Sequence, residues 1–283
     1  MNASSGFSFL APAKINISLK VFGKRPDGFH HIRSVMVPVS LHDEVLVEET
    51  DAGIRVEVDA PDVPAGSANT CHRAAMLFME WAGAPKGVRI RIRKRIPSEA
   101  GLGGGSSDAA ATFKGMMALT RRIPARETLL VMAAQVGADV PFFTLGAPAL
   151  AEGIGDRLTP VEWCVPFHAL IVKPPFGLST KEGYVNLQRG TGDPPAEEEI
   201  PVFRTWEDLV PAVSNDFEDA WQGAWPEIRA IKGELLSAGA RAAGLSGSGS
   251  AVFGLFESSE GARDALGMLS REDGRKLWVA RNI

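Results

Sequence analysis

The chain has 283 residues, 45% of them hydrophobic and 23% charged, which is ordinary for a soluble globular protein with one large domain or two modest ones. A net charge of −4 argues against nucleic-acid binding, and the sequence has neither an apolar run of about 18 residues that would span a membrane nor, in Met1–Gly6, a secretory signal. Cys71 and Cys164 are too few for a disulfide framework or a paired-cysteine zinc site, so we expect a cytoplasmic protein.

The first half of the chain alternates between predicted strands and helices. Strict alternation over Lys14–Val21 predicts a strand with Lys14 and Asn16 on its polar face. The ranges that follow are strands over Glu44–Glu48 and Ile54–Val58, a helix over Asn69–Trp81, a strand over Val88–Ile96, and helices over about Ser106–Leu119 and Glu127–Val136. Every second residue from Arg89 to Arg95 is an arginine, so that strand has one basic face. A solvated face is the simpler interpretation, although it also suits a polyphosphate ligand.

The second half has a more broken pattern. Arg189–Pro201, rich in Gly, Pro and Glu, is predicted to be a surface loop. The other predicted ranges are strands over Ala169–Val172, Ala251–Phe256 and Lys276–Ala280, and helices over Pro226–Ala238 and Gly261–Ser270. We therefore predict two α+β domains, an N-terminal one over residues 1–158 and a C-terminal one over residues 159–283.

The segment from Pro97 to Asp108 is the most informative in the chain. Four of the five residues from Gly101 to Gly105 are glycines, which are unfavourable inside a regular element because glycine loses the most conformational freedom on folding. They suit a backbone that curls and directs several N–H groups at one ligand. The serines that follow begin a helix, whose N-terminus offers free N–H donors and the positive end of a dipole. The segment therefore predicts a phosphate site, which explains more than a flexible turn with a serine cap does.

This loop fits none of the commonest phosphate-binding patterns. No lysine follows the glycines as in the Walker loop, Ser106 replaces the third glycine of the dinucleotide loop, and the protein-kinase signatures are missing. The pattern Pro97–Ser107 resembles the second motif of the GHMP superfamily, named for galactokinase, homoserine kinase, mevalonate kinase and phosphomevalonate kinase. Ala11–Asn16 resembles the first motif of that superfamily and Gly244–Ser250 the third, in the same order along the chain.

The resemblance narrows to one branch of the superfamily. Gly28–His31, Gly137–Pro141, Glu152–Gly155 and Ser214–Asp216 resemble segments of the kinases that act on a cytidine-diphosphate-linked methylerythritol. The likeness extends over about Ala11–Phe256. It implies an α+β fold of two domains: a nucleotide domain with a left-handed βαβ crossover, where pattern alone favours a right-handed one, and a ferredoxin-like substrate domain. It also implies ATP and Mg²⁺ as cofactors, a small-molecule substrate, no nucleic-acid or membrane partner, and a monomer or weak homodimer.

The same resemblance implies a role for each matching residue. Lys14 would neutralise the developing charge, and Asp139 would accept or orient the proton of the substrate hydroxyl. The residues implied in nucleotide binding are Asn69, Lys94, Pro97, Gly101, Leu102, Gly103, Gly104, Gly105, Ser106 and Ser107, with Ser106 also a candidate Mg²⁺ ligand. Those implied in substrate binding are Asn16, Phe29, His30, Thr180, Tyr184, Gly247 and Gly249. Phe29 stands where the family usually has tyrosine, so the position keeps a stacking face and loses a hydroxyl.

Several of these residues have a simpler interpretation as well. Lys14 and Asn16 also fit a solvated pair on a half-exposed strand, and Asp139 fits a turn or a helix cap. Asn69, Lys94 and Tyr184 also fit structural roles. For the whole protein, the alternatives are a related GHMP kinase acting on mevalonate, homoserine or a sugar, and a non-catalytic sensor of nucleotide and metabolite. The sensor is disfavoured because a binding protein needs no proton acceptor beside the transferred phosphoryl group.

Overall fold

Two long strands open the chain, β1 (Gly6–Lys24) and β2 (His30–Thr50), and each contributes residues to both of the units into which the chain divides. The computed structural model describes residues 6–83, 87–192, 199–221, 223–269 and 274–283. The first unit comprises Met1–Ala13, His42–Ser98 and Gly103–Gly146, and the second comprises Lys14–Leu41, Glu99–Leu102 and Ala147–Ile283. The glycine-rich loop therefore passes from one unit to the other between Leu102 and Gly103.

A βαβ segment forms the centre of the first unit. Strands β3 (Ile54–Val58) and β4 (Gly87–Arg93) are parallel and are connected through α1 (Thr70–Ala82). On its other side β4 pairs with β2 in antiparallel register. Helices α2 (Gly104–Thr120), α3 (Arg126–Val136) and α4 (Val140–Leu145) follow, and α2 packs against α1 and α4. A Cβ on Gly115 would lie 2.3 Å from Val47 Cγ2, so a glycine is what lets α2 approach β2 this closely.

The arginines of β4, and Arg95 just after it, are paired with glutamates of the neighbouring strands. The pairs are Arg89 with Glu57 at 3.0 Å, Arg91 with Glu48 at 2.7 Å, and Arg95 with Glu44 at 2.8 Å. The arginine side chains are 43–48% exposed, so each pair contributes only about 0.2–1 kcal/mol to stability. Because the charges of these pairs cancel across the strands, the structure favours the solvated-face interpretation over a polyphosphate site here.

The remaining elements belong to the second unit. In chain order they are β5 (Ala149–Gly153), β6 (Arg157–Pro160), β7 (Glu162–Trp163), β8 (His168–Lys173), α5 (Thr180–Asn186), β9 (Val202–Phe203), α6 (Trp206–Ala212), β10 (Ser214–Asn215), α7 (Phe217–Trp221), α8 (Pro226–Ser237), β11 (Ala242–Leu245), β12 (Val252–Phe256), α9 (Ser259–Met268) and β13 (Lys276–Arg281). The N-terminal half of β2 pairs with β5, and β5 pairs with β6. Strand β10 lies parallel to β1 at Ser18 and Leu19.

The C-terminal part of the second unit is ferredoxin-like, as predicted. Its four strands are antiparallel and lie in the order β11-β12-β8-β13. With α8 before β11 and α9 before β13, the chain order is βαββαβ, the arrangement of the ferredoxin-like fold. Leu170 and Val172 of β8, Leu235 of α8 and Trp221 of α7 belong to its buried core. Burial of this apolar surface is the main force that holds the helices on the sheet.

The elements predicted from periodicity are present. Most boundaries are shifted by a few residues, but β1 and β2 extend well beyond the predicted strands Lys14–Val21 and Glu44–Glu48. Within the described ranges no helix is long and apolar enough to cross a membrane. Of the predicted loop Arg189–Pro201, residues 193–198 lie outside the described residues. Just before them, Lys24 N donates to Gly190 O at 2.8 Å, which holds the start of this segment at the end of β1. The domain boundary after residue 158 stays a prediction.

Candidate active site

The polar face of β1 is buried and hydrogen-bonded, so the solvated-pair interpretation of Lys14 and Asn16 is wrong. Both residues are 4% exposed. Lys14 Nζ donates to Asn16 Oδ1, Asn16 Nδ2 donates to Ser34 Oγ at 2.7 Å, and Ser34 Oγ donates to Ser18 O at 2.6 Å. Buried polar groups are costly unless they are paired, and this row of bonds fixes which end of the Asn16 amide faces the ammonium.

Two glycine-rich segments of the second unit lie in direct backbone contact next to Lys14. Gly101 has φ +73°, and a Cβ there would lie 1.9 Å from Ser246 O. Ser246 Oγ donates to Gly101 O at 2.9 Å. A Cβ on Gly247 would lie 3.1 Å from Gly101 Cα and 3.3 Å from Lys14 Nζ, and Lys14 N donates to Leu102 O at 3.0 Å. The structure thus brings together Lys14, Gly101, Leu102 and Gly247, and only glycine fits where the two segments meet.

The rest of the loop begins α2 in the first unit. Gly103 occupies the N-cap position with φ +73° and offers no side chain to the first turn, so N–H groups at this end remain available to an anion. Gly105 is exposed and Ser106 half-buried. Ser107 Oγ is buried without a hydrogen-bond partner among the described residues. An unpaired buried hydroxyl at a helix N-terminus is the kind of group that a bound phosphate satisfies.

Asn69 and Lys94 lie near this turn, but their polar groups are already engaged. Asn69 Oδ1 accepts from Cys71 N at 2.9 Å and its Nδ2 donates to Pro64 O at 2.7 Å, so the residue caps α1. The neighbouring Thr70 Oγ1 donates to Gly105 O at 2.8 Å, tying the start of α1 to the loop. These bonds give Asn69 a structural role; its part in nucleotide binding stays a prediction, as does that of half-buried Pro97.

The ammonium group of Lys94 is held by two buried carboxylates. Nζ lies 2.5 Å from Asp43 Oδ2 and 2.7 Å from Asp108 Oδ2, and the three side chains are at most 8% exposed. Asp43 Oδ1 also accepts from Ile96 N at 2.8 Å, whereas Asp108 Oδ1 is buried without a partner among the described residues. A Cβ on Gly104 would lie 3.2 Å from Lys94 Nζ, so this group of three charges packs against the glycine loop.

The pKa values of these groups follow from burial and charge. Burial raises the pKa of Asp108 to about 7, with Lys94 opposing the shift and Asp43 adding to it. Burial alone would lower the pKa of Lys94, but the two carboxylates together hold it above its ordinary value. One ammonium therefore faces two carboxylates. Asp43 accepts hydrogen bonds from backbone N–H groups as well, whereas Asp108 is the one whose pKa is raised.

Asp139 is at the N-cap position of α4, but its side chain makes no capping hydrogen bond. The simpler interpretation of this aspartate as a cap is therefore wrong for the side chain. It is half-buried, and the turn before it lies close to the glycine loop, since a Cβ on Gly137 would be 3.9 Å from Ser106 Oγ. In the first unit the structure thus places the Asp139 turn next to the first turn of α2.

A pocket of about 580 Å³ in the second unit brings together four of the seven residues predicted to bind the substrate, but not Asn16, Gly247 or Gly249. Phe29, His30, Thr180 and Tyr184 all line it. The His30 and Tyr184 rings are stacked at 5.0 Å with an interplanar angle of 12°, and Tyr184 also packs edge-on against buried Phe217. His30 Nδ1 donates to Phe22 O at 3.0 Å, and Phe29 is 59% exposed. Tyr184 is thus both a core contact and a pocket wall.

Sequence reasoning missed the charged rim of this pocket and one link to the glycine turn. Lys24, Lys181 and Arg189 also line the cavity, and no periodic pattern distinguishes them from ordinary surface cations. Thr180 Oγ1 lies 2.8 Å from Ser248 Oγ, so the pocket helix α5 is hydrogen-bonded to the turn that contains Gly247 and Gly249. The sequence signal that could have indicated the rim is the position of Lys24 just before Gly28–His31 in the chain.

Two family models and several curated proteins match this chain. The model of the GHMP kinases N terminal domain matches residues 69–147, and that of the GHMP kinases C terminal domain matches residues 225–276. The 4-diphosphocytidyl-2-C-methyl-D-erythritol kinase of Geobacter sp. (strain M21) is 43% identical over 276 residues, which cover 97% of each chain. That of Acetivibrio thermocellus is 43% identical over 259 residues, covering 90% of this chain and 92% of the other.

Solved structures show the same likeness. A crystal structure of 4-(cytidine 5'-diphospho)-2C-methyl-D-erythritol kinase superposes with a TM-score of 0.81 at 36% identity, covering 98% of this chain and 99% of that one. Homoserine kinase from Cytophaga hutchinsonii superposes with a TM-score of 0.74 over 100% of this chain and 96% of its own. Its identity is 19%, so this second likeness shows the fold alone.

Proposed function

Because the chain belongs to the 4-diphosphocytidyl-2-C-methyl-D-erythritol kinase family of the GHMP kinases, we propose that it transfers the γ-phosphoryl group of ATP to the 2-hydroxyl of 4-diphosphocytidyl-2-C-methyl-D-erythritol. This reaction is a step of the non-mevalonate route to isoprenoid precursors. The observation that carries the proposal is the pocket in which Phe29, His30, Thr180 and Tyr184 meet. The comparisons do not favour a kinase of mevalonate, homoserine or a sugar.

The pocket suits a cytosine base. Flat aromatic faces stack on a pyrimidine with about 1–3 kcal/mol per base, and Phe29 and Tyr184 supply such faces. Since His30 Nδ1 donates to Phe22 O, Nε2 of the neutral ring is an acceptor. Cytosine has an amino donor at its 4-position, where uracil has a carbonyl acceptor. The tautomer that the backbone imposes on His30 therefore favours cytosine over uracil.

The cations at the pocket rim suit a diphosphate. Lys24, Lys181 and Arg189 line the same cavity as the aromatic residues, and charge-assisted hydrogen bonds to phosphate are about twice as strong as neutral ones. A cytidine diphosphate moiety would thus meet stacking, a directed hydrogen bond and positive charge within one cavity. Because the net charge of the whole chain is −4, this cluster of cations at the pocket is a local feature and supports an anionic ligand there.

The first turn of α2 suits the phosphates of ATP. Its N–H groups, the orphaned Ser107 hydroxyl and the half-buried Ser106 hydroxyl form a donor set at a helix N-terminus, which favours an anion. Among the described residues no group of three or more His, Cys, Asp or Glu side chains could hold a metal ion. Mg²⁺ is commonly bound through one or two protein groups together with nucleotide phosphates, so Ser106 fits as its protein ligand. The ion, when bound, would neutralise charge on those phosphates.

We assign the chemistry to Lys14 and Asp139. Phosphoryl transfer passes through a loose transition state, so catalysis depends mainly on positioning and charge stabilisation. Lys14 Nζ, next to Gly247 in the second unit, would stabilise the transferring group. The carboxylate of Asp139, which does not cap its helix, would orient the 2-hydroxyl and accept its proton as the new P–O bond forms and ADP leaves.

The test of this proposal is ADP release with MgATP and either the cytidylyl substrate or its uridylyl counterpart. We expect kcat/KM to be about 5- to 150-fold lower for the uridylyl compound, because a matched contact to a base edge discriminates by about 1–3 kcal/mol. His30→Leu should abolish the difference, and His72→Leu, in the other unit, should preserve it. Equal kcat/KM for both compounds in the wild-type enzyme would contradict the assignment of the pocket.

A further inference from the structure

Ser214–Asp216 connects the turn that contains Gly247 with the pocket lined by Arg189. The sequence of this segment resembles the family, but none of its residues has been given a role above. Strand β10 lies parallel to β1, with Ser214 opposite Ser18 and Asn215 opposite Leu19. Asp216 N donates to Leu19 O at 2.9 Å. The backbone is therefore fixed at both Asn215 and Asp216, and because successive side chains on an extended strand leave on opposite sides, the two residues serve different neighbours.

The side-chain amide of Asn215 is fully hydrogen-bonded, to the turn that contains Gly247 and to the start of α7. Its Nδ2 donates to Leu245 O at 2.7 Å and to Gly247 O at 2.8 Å, and its Oδ1 accepts from Phe217 N at 2.9 Å. The side chain is 8% exposed, so losing these bonds is not compensated by water. A Cβ on Gly247 would lie 3.1 Å from Gly101 Cα and 3.3 Å from Lys14 Nζ, so this glycine is next to both residues. Asn215 thus sets the position of that turn.

Asp216 serves the pocket instead. Its Oδ2 accepts from Val21 N at 2.9 Å and from Arg189 Nη2 at 2.8 Å. Arg189 lines the pocket, and its side chain is 40% exposed. A long arginine side chain loses considerable rotamer freedom when it is held in one place. The carboxylate, anchored on β1, supplies that restraint and keeps the guanidinium at the rim of the cavity.

We propose that Asn215 and Asp216 are positioning residues with separate tasks. Asn215 holds the glycine turn against Gly101 and Lys14 and so supports phosphoryl transfer. Asp216 holds Arg189 at the rim and so supports binding of the nucleotide part of the substrate. This inference rests on the proposed function, and it requires that two adjacent substitutions give opposite kinetic signatures.

The test for the first task is Asn215→Asp, which keeps the size and the acceptor for Phe217 N and removes both donors to the turn. We expect kcat to fall about 10- to 100-fold, since a displacement of about 1 Å in a reacting group costs up to a hundredfold, while the Kd of CDP measured by calorimetry stays within about twofold. Asn282→Asp is the matched control, because Asn282 also accepts from a backbone N–H and donates to a carbonyl, at Phe167 and Val165. A purely structural role would lower the thermal midpoint and leave kcat of the folded enzyme unchanged, and that result would overturn the assignment of Asn215.

The test for the second task is Asp216→Asn beside Arg189→Gln. We expect each to raise the Kd of CDP about three- to tenfold, as loss of a charge-assisted contact does, with kcat at saturation within about twofold of wild type. The Kd of CDP for the double variant should be no higher than the higher of the two single-variant values, because the effects of coupled residues are not additive. Asp219→Asn, an exposed aspartate in α7, should change nothing. Additive effects, or a fall in kcat without loss of CDP affinity, would overturn the assignment of Asp216.

The two outcomes separate this inference from the proposed function. CDP binding requires no turnover, so the Asp216–Arg189 test stands on its own. Wild-type enzyme that binds CDP but releases no ADP with the cytidylyl substrate would refute the proposed function, and the role of Asn215 would fall with it. Wild-type turnover combined with identical signatures for Asn215→Asp and Asp216→Asn would refute the inference alone.

Discussion

Replacing Lys94 with methionine removes the one ammonium group that neutralises two buried carboxylates. Asp43 and Asp108 lie 2.5 Å and 2.7 Å from Lys94 Nζ, with side chains 0% and 3% exposed. Removing one partner of a buried ion pair costs about 3–5 kcal/mol, because the charge left behind is uncompensated. For a chain of this size about 2–4 °C of thermal midpoint corresponds to each kcal/mol, so we expect Lys94→Met to lower the midpoint by about 6–20 °C.

The loss should depend on pH in a definite direction. Burial raises the pKa of Asp108 in the folded protein to about 7, above an unfolded value of about 3.9. Between these values the folded state binds more protons than the unfolded state, so this group's contribution to stability falls as pH rises through the window. Without the ammonium of Lys94 the ionised form of Asp108 is less favourable still. The destabilisation by Lys94→Met should therefore be larger at pH 8 than at pH 5, where Asp108 is protonated.

Thermal unfolding followed by circular dichroism at pH 5 and pH 8 measures both effects. Lys114→Met is the matched control, since it removes a half-buried lysine of α2 whose pKa burial lowers, and its free energy of unfolding should change by less than about 1 kcal/mol. Lys94 Nζ also packs against Gly104 of the loop proposed to bind ATP. The KM for ATP should therefore rise in Lys94→Met as well. A loss of stability below about 1 kcal/mol, or an equal loss at the two pH values, would refute the reasoning about this buried group.

Three further substitutions test the site itself. Gly101→Ala puts a Cβ 1.9 Å from Ser246 O at φ +73°, so steady-state kinetics should show a kcat at least about tenfold lower, as for other misplaced groups, whereas Gly267→Ala, with open space around it, should behave as wild type. Asp139→Asn should nearly abolish turnover while calorimetry finds ATP and CDP binding unchanged, and wild-type turnover would contradict its role. Tyr184→Leu removes one stacking face, so the Kd of CDP should rise about 5- to 150-fold, corresponding to about 1–3 kcal/mol per base; an unchanged Kd would exclude stacking there.

Much of the fold could be predicted because the longer elements have clear periodicity. The ranges of α1, α3 and β3 agree with the sequence expectation to within about one residue at each end. The lengths of β1 and β2 were not predictable from alternation, since Ser34–Val39 of β2 are buried throughout and alternation marks only strands with one solvated face. Helices α4 to α7 have five to seven residues each, which is too short for a helical period to emerge.

The candidate site divides in the same way. Glycine density drew attention to the glycine-rich loop, and the resemblance pointed to Phe29, His30, Thr180 and Tyr184, which line one pocket. Their roles in binding stay predictions. The pairing of Lys94 with Asp43 and Asp108 joins positions 51 and 14 residues apart, and that of Arg189 with Asp216 joins positions 27 apart. Contacts of this kind are set by tertiary packing, and no local pattern in one sequence encodes them.

The most direct test of the central claim is a coupled ADP-release assay with MgATP and 4-diphosphocytidyl-2-C-methyl-D-erythritol, run beside mevalonate, homoserine and galactose under the same conditions. Turnover with the cytidylyl compound alone is the result that the pocket of Phe29, His30, Thr180 and Tyr184 predicts. Turnover with one of the other three acceptors, or ATP binding without turnover of the cytidylyl compound, would contradict the account. Of the proposals made above, only ATP binding at the glycine-rich loop would then remain.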